Sequence, residues 1–203
     1  MKQDFWNSRY QEHDRAYGYD PNQFLVSASD TLPPLSRILS IGEGEGRNCV
    51  WMAQRKLDVW AMDYSLTGLK KARRMADLHH LPVKCVCADV RHWFWPPGFF
   101  DAIVLIFVHF PPDVRAGVHE NIMMSLKSGG HVIMQAFHKG QLNYSSGGPK
   151  SEDMLYTADM LRQDFQFGEI VQLEEIKADL KEGLFHDGPA SVINCIVRKK
   201  ESV

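Results

Sequence analysis

Short apolar runs alternate with longer amphipathic segments along most of the chain. Each run stops at a glycine or a polar residue, which is typical of buried strands in an α/β protein. The pattern predicts strands near residues 37–41, 58–62, 83–87, 100–106, 130–137, 167–176 and 191–198. It predicts helices near residues 3–12, 20–31, 46–55, 65–79, 113–126 and 157–164. Strands that alternate with helices indicate an α/β fold built on a largely parallel sheet.

The first strand runs into a glycine loop that carries two carboxylates. The glycines are Gly42, Gly44 and Gly46, and Glu43 and Glu45 lie between them. Glycines at such a turn let a ligand touch the backbone, which is how α/β folds build nucleotide-sized sites. Carboxylates beside a phosphate are unfavourable, and the spacing differs from the GxGxxG of dinucleotide sites. The loop therefore favours S-adenosylmethionine, which has an adenosine and a sulfonium but no phosphate.

Polar residues follow the next strands at the same edge of the sheet. Asp63 comes about 20 positions after Gly42, where a carboxylate can accept both ribose hydroxyls. An alternative role for Asp63 is to cap the following helix, and Ser65 competes for that cap. Asp89 ends the third strand, where its carboxylate could accept from the adenine amino group. The strand ends thus predict one cleft at the carboxyl edge of the sheet.

These motifs together resemble the class I S-adenosylmethionine-dependent methyltransferases over nearly all of the chain. Residues 41–48 match the family's glycine motif, and Asp63 matches its ribose acid. Residues 88–90 match its adenine motif, and residues 126–130 match its Leu-Lys-Pro-Gly-Gly turn. The resemblance implies a Rossmann-like, doubly wound sheet of seven strands in three α/β/α layers. That sheet is mostly parallel and closes with an antiparallel C-terminal hairpin.

The same resemblance implies one domain and one cofactor site. The domain spans residues 1–203, with a helical cap at residues 1–34 and the core at residues 35–203. The cofactor is S-adenosylmethionine, and its predicted contacts are Gly42, Glu43, Gly44, Gly46, Arg47, Asn48, Asp63, Tyr64, Ser65, Asp89, Val90 and Ile106. One departure is Ser40, because the family usually has an acid there that orders the loop. Glu43 or Glu45 could supply that charge.

The two ends of the chain resemble a narrower branch of the family. Residues 5–10 and 17–22, with residues 182–190, are similar to tellurite-resistance and thiopurine methyltransferases, which act on small molecules. The expected partner is therefore a small-molecule methyl acceptor. A soft anion based on S, Se or Te needs no strong base, whereas an N or O acceptor would need one. All five acceptor atoms stay open at this point.

Histidines and aromatic residues are the candidates for the acceptor side of the cleft. His186 is the first candidate for a base or a substrate contact, and its alternative role is that of a turn residue. His109 is the second, because its position flanks the methyl group in the family. The predicted substrate contacts, each of which could instead be a packing residue, are Trp6, Arg9, Tyr10, Tyr17 and Phe107. Residues 140–150 are predicted to form a flexible loop that is either a connector or a lid.

Composition narrows the partners further. The chain has 203 residues, a formal net charge of −2 and a pI near 6.5, which gives no field that attracts polyanions. We therefore expect no nucleic-acid partner. The apolar stretch at residues 102–108 is too short to cross a bilayer, and residues 1–4 lack an apolar signal core, so we expect no membrane contact and a cytoplasmic location. No metal-ligand spacing is present, and we predict no metal site. The oligomeric state is not predicted.

Two other functional classes stay open. An NAD-dependent enzyme would share the strand, the loop and the ribose acid, although it needs a loop that tolerates phosphate. A protein that binds S-adenosylmethionine without catalysing methyl transfer is the other alternative, since Ser40 departs from the family pattern.

Overall fold

The computed structural model describes residues 3–201, and it contains one sheet of seven strands in the order β3-β2-β1-β4-β5-β7-β6. The predicted domain limits at Met1 and Val203 lie outside the described residues. The strands are β1 Arg37–Ile41, β2 Asp58–Asp63, β3 Lys84–Cys87, β4 Phe100–Ile106, β5 Leu126–Phe137, β6 Gly168–Lys181 and β7 Asp187–Lys199. Strands β1 to β5 pair in parallel, and β7 runs antiparallel to both β5 and β6. The predicted fold class is confirmed.

Helices cover both faces of this sheet. They are α1 Gln3–Glu12, α2 Gln23–Ser27, α3 Arg47–Gln54, α4 Leu66–Leu78, α5 Pro112–Ser125 and α6 Ala158–Asp164. Along β4, Ala102 and Val104 pack in the core with α3 and α4, whereas Ile103 and Leu105 pack in the core with α5. This alternation makes the sheet the middle of three layers. No helix within residues 3–201 is long and apolar enough to cross a membrane.

The sheet order reverses between β1 and β4, which places a crevice at the carboxyl ends of these strands. The glycine loop follows β1, Asp63 ends β2, and Phe107 follows β4. The fold therefore brings the predicted cofactor residues to one edge, as the strand pattern indicates.

The helix predicted at residues 20–31 begins later than expected, and its second half is a 3₁₀ turn instead of an α-helix. The side chain of Asn22 accepts a hydrogen bond from the Leu25 N–H, so the helix begins only at Gln23. The hydroxyl groups of Ser27 and Thr31 donate to carbonyls three residues earlier, and residues Ala28–Thr31 form a 3₁₀ turn.

The C-terminal hairpin is longer than the predicted strands at 167–176 and 191–198. Strand β6 pairs with β7 as far as Lys181. The sequence pattern did not reveal this far half, because it lies at the edge of the sheet and its side chains are mostly polar and exposed. The extended hairpin projects past the carboxyl edge of the sheet, and its turn at residues 182–186 reaches the N-terminal cap.

The loop at residues 140–150 is anchored, which corrects the expectation of a flexible segment. It begins with a 3₁₀ turn, Lys139–Asn143, and Gln141 is buried within it. The Gln141 side chain accepts from the Ser191 N–H at 2.8 Å and donates to Ser146 at 3.1 Å. These contacts hold the loop against β7.

Candidate functional site

Three glycines of the loop after β1 have left-handed backbone conformations that favour glycine. Their φ angles are 66° at Gly42, 60° at Gly44 and 95° at Gly46. A Cβ at Gly42 would lie 2.6 Å from Val108, and one at Gly46 would lie 2.7 Å from the Ala72 backbone. The loop can therefore adopt this path, with its backbone close to its neighbours, only because these positions are glycine.

Glu43 orders the glycine loop from inside. Its buried carboxylate accepts from the Ser40 hydroxyl and from the Cys49 N–H, the latter at 2.8 Å. Burial raises the pKa of Glu43, and these hydrogen bonds act against that rise. Glu43 thus supplies the carboxylate that Ser40 lacks. Its side chain is bonded within the loop, and its predicted contact with the cofactor stays a prediction.

Asp63 connects the end of β2 to the glycine loop. Its Oδ2 accepts from the Gly44 N–H and its Oδ1 accepts from the Ser65 N–H, both at 2.7 Å. Burial raises the pKa of Asp63, and the backbone donors counteract part of this effect. Ser65, and not Asp63, caps α4, because its hydroxyl accepts from the Gly68 N–H at 3.1 Å. Each Asp63 oxygen therefore retains a lone pair for a ligand hydroxyl.

Tyr10 lies at the glycine loop and not at the acceptor side where a substrate contact was expected. Its ring packs on Gly68, and its hydroxyl lies beside Gly44, where a Cβ would come within 2.5 Å of the oxygen. Burial raises the pKa of Tyr10 well above 10, and the charge of Asp63 adds to this rise. No group within residues 3–201 forms a hydrogen bond with the hydroxyl. It is thus a polar group without a partner beside the predicted cofactor site.

The adenine side of the cleft is more open. Asp89 is bound by the Arg91 guanidinium at 2.5 Å, and this hydrogen bond lowers the pKa of the Asp89 carboxyl. The Val90 carbonyl accepts from the Trp95 indole at 3.1 Å. The Ala88 N–H donates to the Asp63 carbonyl at 3.1 Å, so the adenine segment lies beside the ribose acid.

His186 occupies an aromatic enclosure at the carboxyl edge of the sheet. Its ring centroid lies 4.6 Å from Tyr17, 4.4 Å from Phe107 and 5.2 Å from Phe137. The side chain is 7 % exposed, and its buried Nδ1 has no partner within residues 3–201. Burial lowers the pKa of His186 well below 6.5, and the positive charge of Arg47 adds to this effect. His186 is therefore neutral near pH 7, and neither of its ring nitrogens forms a hydrogen bond within residues 3–201.

His109 cannot act as a base, which corrects its ranking as a catalytic candidate. Its Nε2 accepts from the Phe137 N–H at 2.9 Å, and its Nδ1 donates to the Phe107 carbonyl at 3.2 Å. Burial lowers the pKa of His109 to about 4. With both ring nitrogens bonded to backbone, His109 fixes the ends of β4 and β5.

Residues 38–130 match a protein family described as "Methyltransferase domain". The match covers less than half of the chain, and together with the fold it supports an S-adenosylmethionine-dependent methyltransferase whose cofactor is S-adenosylmethionine. Among curated protein sequences, none matches the chain.

Solved structures share the methyltransferase fold at low sequence identity. One, reported as "Conversion of a Disulfide Bond into a Thioacetal Group during Echinomycin Biosynthesis", has a TM-score of 0.81 at 16% identity, covering 98% of this chain and 92% of the other. TehB from Haemophilus influenzae has a TM-score of 0.73 at 16% identity, covering 88% and 62%. The Burkholderia thailandensis 1,6-didemethyltoxoflavin-N1-methyltransferase, with bound 1,6-didemethyltoxoflavin and S-adenosylhomocysteine, has a TM-score of 0.72 at 16% identity, covering 98% and 87%.

In the methyltransferase, the first turn of α3 holds the cap and the hairpin. The Arg47 guanidinium lies 2.5 Å from Glu182 and 3.2 Å from the Asp20 carbonyl. The Asn48 side chain accepts from the Asn22 N–H at 2.9 Å. Both side chains were predicted to bind the cofactor. The structure bonds both side chains to segments distant in the chain, and their cofactor contacts stay predictions.

The Arg9 guanidinium is already bonded to other groups of the protein. It is therefore not available to pair with an anionic substrate. Its guanidinium lies 4.2 Å from the Phe185 ring centroid and 4.6 Å from that of Phe5. It donates to the Tyr17 hydroxyl at 2.9 Å. Trp6, the remaining predicted substrate contact, stacks on Tyr10 at 6.0 Å between centroids. These side chains form the inner surface of the cap.

The cap and the hairpin turn meet at two glycines, and we call this contact the clasp (residues 15–18 and 182–186). A Cβ at Gly183 would lie 2.3 Å from the Gly18 backbone nitrogen. The Phe185 N–H donates to the Ala16 carbonyl at 3.4 Å. The Arg15 N–H donates to Glu45 at 3.1 Å, which connects the clasp to the glycine loop.

Two parts of the site were missed by sequence reasoning. Phe137 was assigned only to a strand, although its position at the carboxyl end of β5 could have marked it. Glu182 was included in a motif without a role, and nothing in the sequence pairs it with Arg47. Among residues 3–201, no group of three or more His, Cys, Asp or Glu side chains is arranged to hold a metal ion.

Proposed function

We propose that this methyltransferase acts on an uncharged small molecule whose reacting atom is a soft nucleophile of the thiol class. The observation that carries the proposal is the unpartnered Nδ1 of His186 inside an enclosure of three aromatic rings. Such an enclosure excludes water and leaves the His186 ring as the polar group that can orient an acceptor.

The residues of the glycine loop and of the neighbouring strand ends have the chemistry to hold S-adenosylmethionine next to this enclosure. Bound S-adenosylmethionine supplies a methyl group on a positively charged sulfur. The glycine-loop backbone and the Asp63 carboxylate would hold the amino-acid and ribose parts, and Asp89 with Val90 would border the adenine. The predicted contacts of Tyr64, Ser65 and Ile106 also belong to this proposal. We add the Tyr10 hydroxyl, because it lies beside Gly44 without a partner.

The basicity of His186 favours an acceptor that loses its proton easily. Burial lowers the pKa of His186, so the neutral ring is a weak base. A weak base helps little with an alcohol or an amine, whereas a thiol ionises readily enough for such a base to suffice. His186 would take the thiol proton at a ring nitrogen while the aromatic walls align the sulfur with the methyl group.

The charge around the enclosure favours a neutral acceptor. The nearest cations, Arg9 and Arg47, are bonded to Tyr17 and Glu182. An anionic acceptor would therefore lose its hydration without gaining a free partner. The Burkholderia neighbour is by name a methyltransferase of 1,6-didemethyltoxoflavin, which supports a small-molecule acceptor. Membership of the tellurite-resistance and thiopurine branch, a cytoplasmic location and the lack of nucleic-acid or membrane partners stay predictions.

The test compares thiophenol with phenol as acceptors at about pH 5.5, where both are uncharged, since the two then differ only in the reacting atom. We expect mass spectrometry to detect methylated thiophenol and no methylated phenol. One S-adenosylhomocysteine should form for each molecule of methylated product. His186→Ala should lower turnover of thiophenol about 100-fold and leave cofactor affinity unchanged. His79→Ala is the matched control, because the His79 side chain is exposed at the C-terminal end of α4.

Three results would contradict the proposal. Preferential methylation of phenol would exclude the thiol class. Unchanged turnover in His186→Ala would remove His186 from the reaction. Cofactor binding by calorimetry without any methylated product would instead support a protein that binds S-adenosylmethionine and does not catalyse transfer.

A further inference from the structure

A cavity of about 790 Å³ lies between the N-terminal cap and the C-terminal strands of the sheet. One wall is the chain segment at residues 17–24, which leads into α2. The opposite wall is formed by strands β5, β7 and β6. Sites for small molecules usually have volumes of about 300–1,000 Å³, so the cavity has the size of a ligand site.

The floor of the cavity is polar in a region where the sheet is otherwise apolar. Gln135 and Asn194 lie directly opposite each other in β5 and β7, and each is 6 % exposed. The neighbouring positions on the same face are Ile133 and Ile196, which are core residues. Amide side chains at such positions are unfavourable unless they are fully bonded or bind something.

The hydrogen bonds fix which way these amides point. Glu182, paired with Arg47, can only accept, so Asn22 must present its Nδ2 there, at 2.8 Å. The same Nδ2 donates to Gln135 Oε1 at 2.7 Å. Gln135 Nε2 then donates to Asn194 Oδ1, also at 2.7 Å. The chain of donors ends at Asn194 Nδ2, and no group within residues 3–201 accepts from it.

The other walls indicate what a ligand would look like. Phe24, Ile176 and Leu180 supply apolar surface, which suits a flat ring system. Asp20 and Asp179 line the cavity together with Lys181, and the two carboxylates outweigh the charge of that lysine, which disfavours an anion. An acceptor atom on the ligand would meet the free Asn194 donor.

We propose that this cavity is a second small-molecule site, which binds an uncharged aromatic heterocycle through a carbonyl-type acceptor on Asn194 Nδ2. The side chains of Arg47, Glu182, Asn22 and Gln135 form a hydrogen-bonded wall between the cavity and the glycine loop. Tyr17 is the boundary between the two sites, because it lines the cavity and also packs on His186. The proposal does not depend on the identity of the methyl acceptor.

The probe is 2-quinolone, a neutral bicyclic lactam, added to the full chain in the presence of S-adenosylmethionine. We expect it to shift the Asn194 side-chain amide in a ¹H–¹⁵N spectrum, with a dissociation constant on the order of 1 mM for so small a molecule. The amide signal is assigned by its loss in Asn194→Asp. That variant can still accept from Gln135 but has no donor for the ligand, and it should bind at least 10-fold more weakly.

A second variant keeps the test valid if Asn194→Asp folds poorly. Ile176→Arg places a long cation at a lining position that is 37 % exposed, and it should abolish probe binding. Val171→Arg is the matched control, because Val171 is an exposed apolar residue of the same strand outside the cavity. Binding that survives Ile176→Arg, or no Asn194 shift in the wild type, would overturn the proposal. Displacement of the probe by thiophenol would place it in the His186 enclosure and would also overturn it.

Discussion

Asp63 and Asp101 are carboxylates at opposite edges of the same sheet. Asp63 accepts from the glycine loop at the carboxyl edge, whereas Asp101 begins β4 and binds Lys127 at 2.8 Å and the Arg37 N–H at 2.8 Å. Asp63→Ala should weaken S-adenosylmethionine binding about 10- to 100-fold, because charged acceptors of ligand hydroxyls contribute about 1.5–3 kcal/mol each. Titration calorimetry measures this directly.

Asp101→Ala is the control for that measurement. This substitution removes a carboxylate that has as many protein partners as Asp63 has. It should lower the free energy of unfolding, while the cofactor affinity stays within about twofold of the wild-type value. Equal losses of affinity in the two variants would mean that the ribose is not held at the end of β2.

For single residues, the sequence predicted a role correctly where that role depends on positions close by in the chain. Asp63 could be assigned because its distance from Gly42 is set by one strand-helix-strand unit. Arg47 and His109 could not, because their partners Glu182 and Phe137 come from segments distant in the chain. The spacing of residues in a sequence motif predicts where a residue lies in the fold. It does not predict which group from a distant segment its side chain contacts.

The clasp is the element that joins the N-terminal cap to the C-terminal hairpin. Gly183 and Gly188 both have positive φ, 83° and 99°, but only at Gly183 would an added Cβ meet neighbours within 4 Å. Gly183→Ala should therefore cost more than about 2 kcal/mol locally, and Gly188→Ala about 1 kcal/mol from backbone strain alone. Because the clasp is bonded to the glycine loop through Glu45, Gly183→Ala should also weaken cofactor binding.

Urea unfolding and calorimetry of the two variants separate these effects. Equal unfolding free energies would show that the Gly18–Gly183 approach is not needed. A large loss of stability in Gly183→Ala with unchanged cofactor affinity would show that the clasp stabilises the fold without supporting the loop.

Elements buried on both faces were predictable, and exposed ones less so. Strands β1 and β4 match the predicted ranges because their apolar runs stop where burial stops. The hairpin extends beyond its prediction because β6 is stabilised by backbone pairing with β7 along its whole length. Its exposed side chains, such as Lys177 and Asp179, carry no periodic signal that could reveal this pairing.

For the whole molecule, three histidines link stability to pH in the same direction. Burial lowers the pKa of His109 to about 4, and burial also lowers the pKa values of His119 and His186. Below about pH 6.5 the unfolded chain binds protons at these positions and the folded protein does not. The free energy of unfolding should therefore fall as the pH is lowered from about 6.5 to about 4. Glu43 and Asp63 act oppositely, since burial raises their pKa values.

His109→Gln isolates one of these contributions. A glutamine can accept from the Phe137 N–H and donate to the Phe107 carbonyl, as His109 does, but it does not titrate. The wild type should lose up to about 3 kcal/mol more stability than the variant between pH 6.5 and pH 4, since its folded pKa lies below the unfolded value over that range. Urea unfolding of both proteins at pH 7, 5.5 and 4.5 gives two curves that should diverge as the pH falls. Parallel curves would mean that His109 accepts a proton in the folded state, and it would then regain the status of a candidate base.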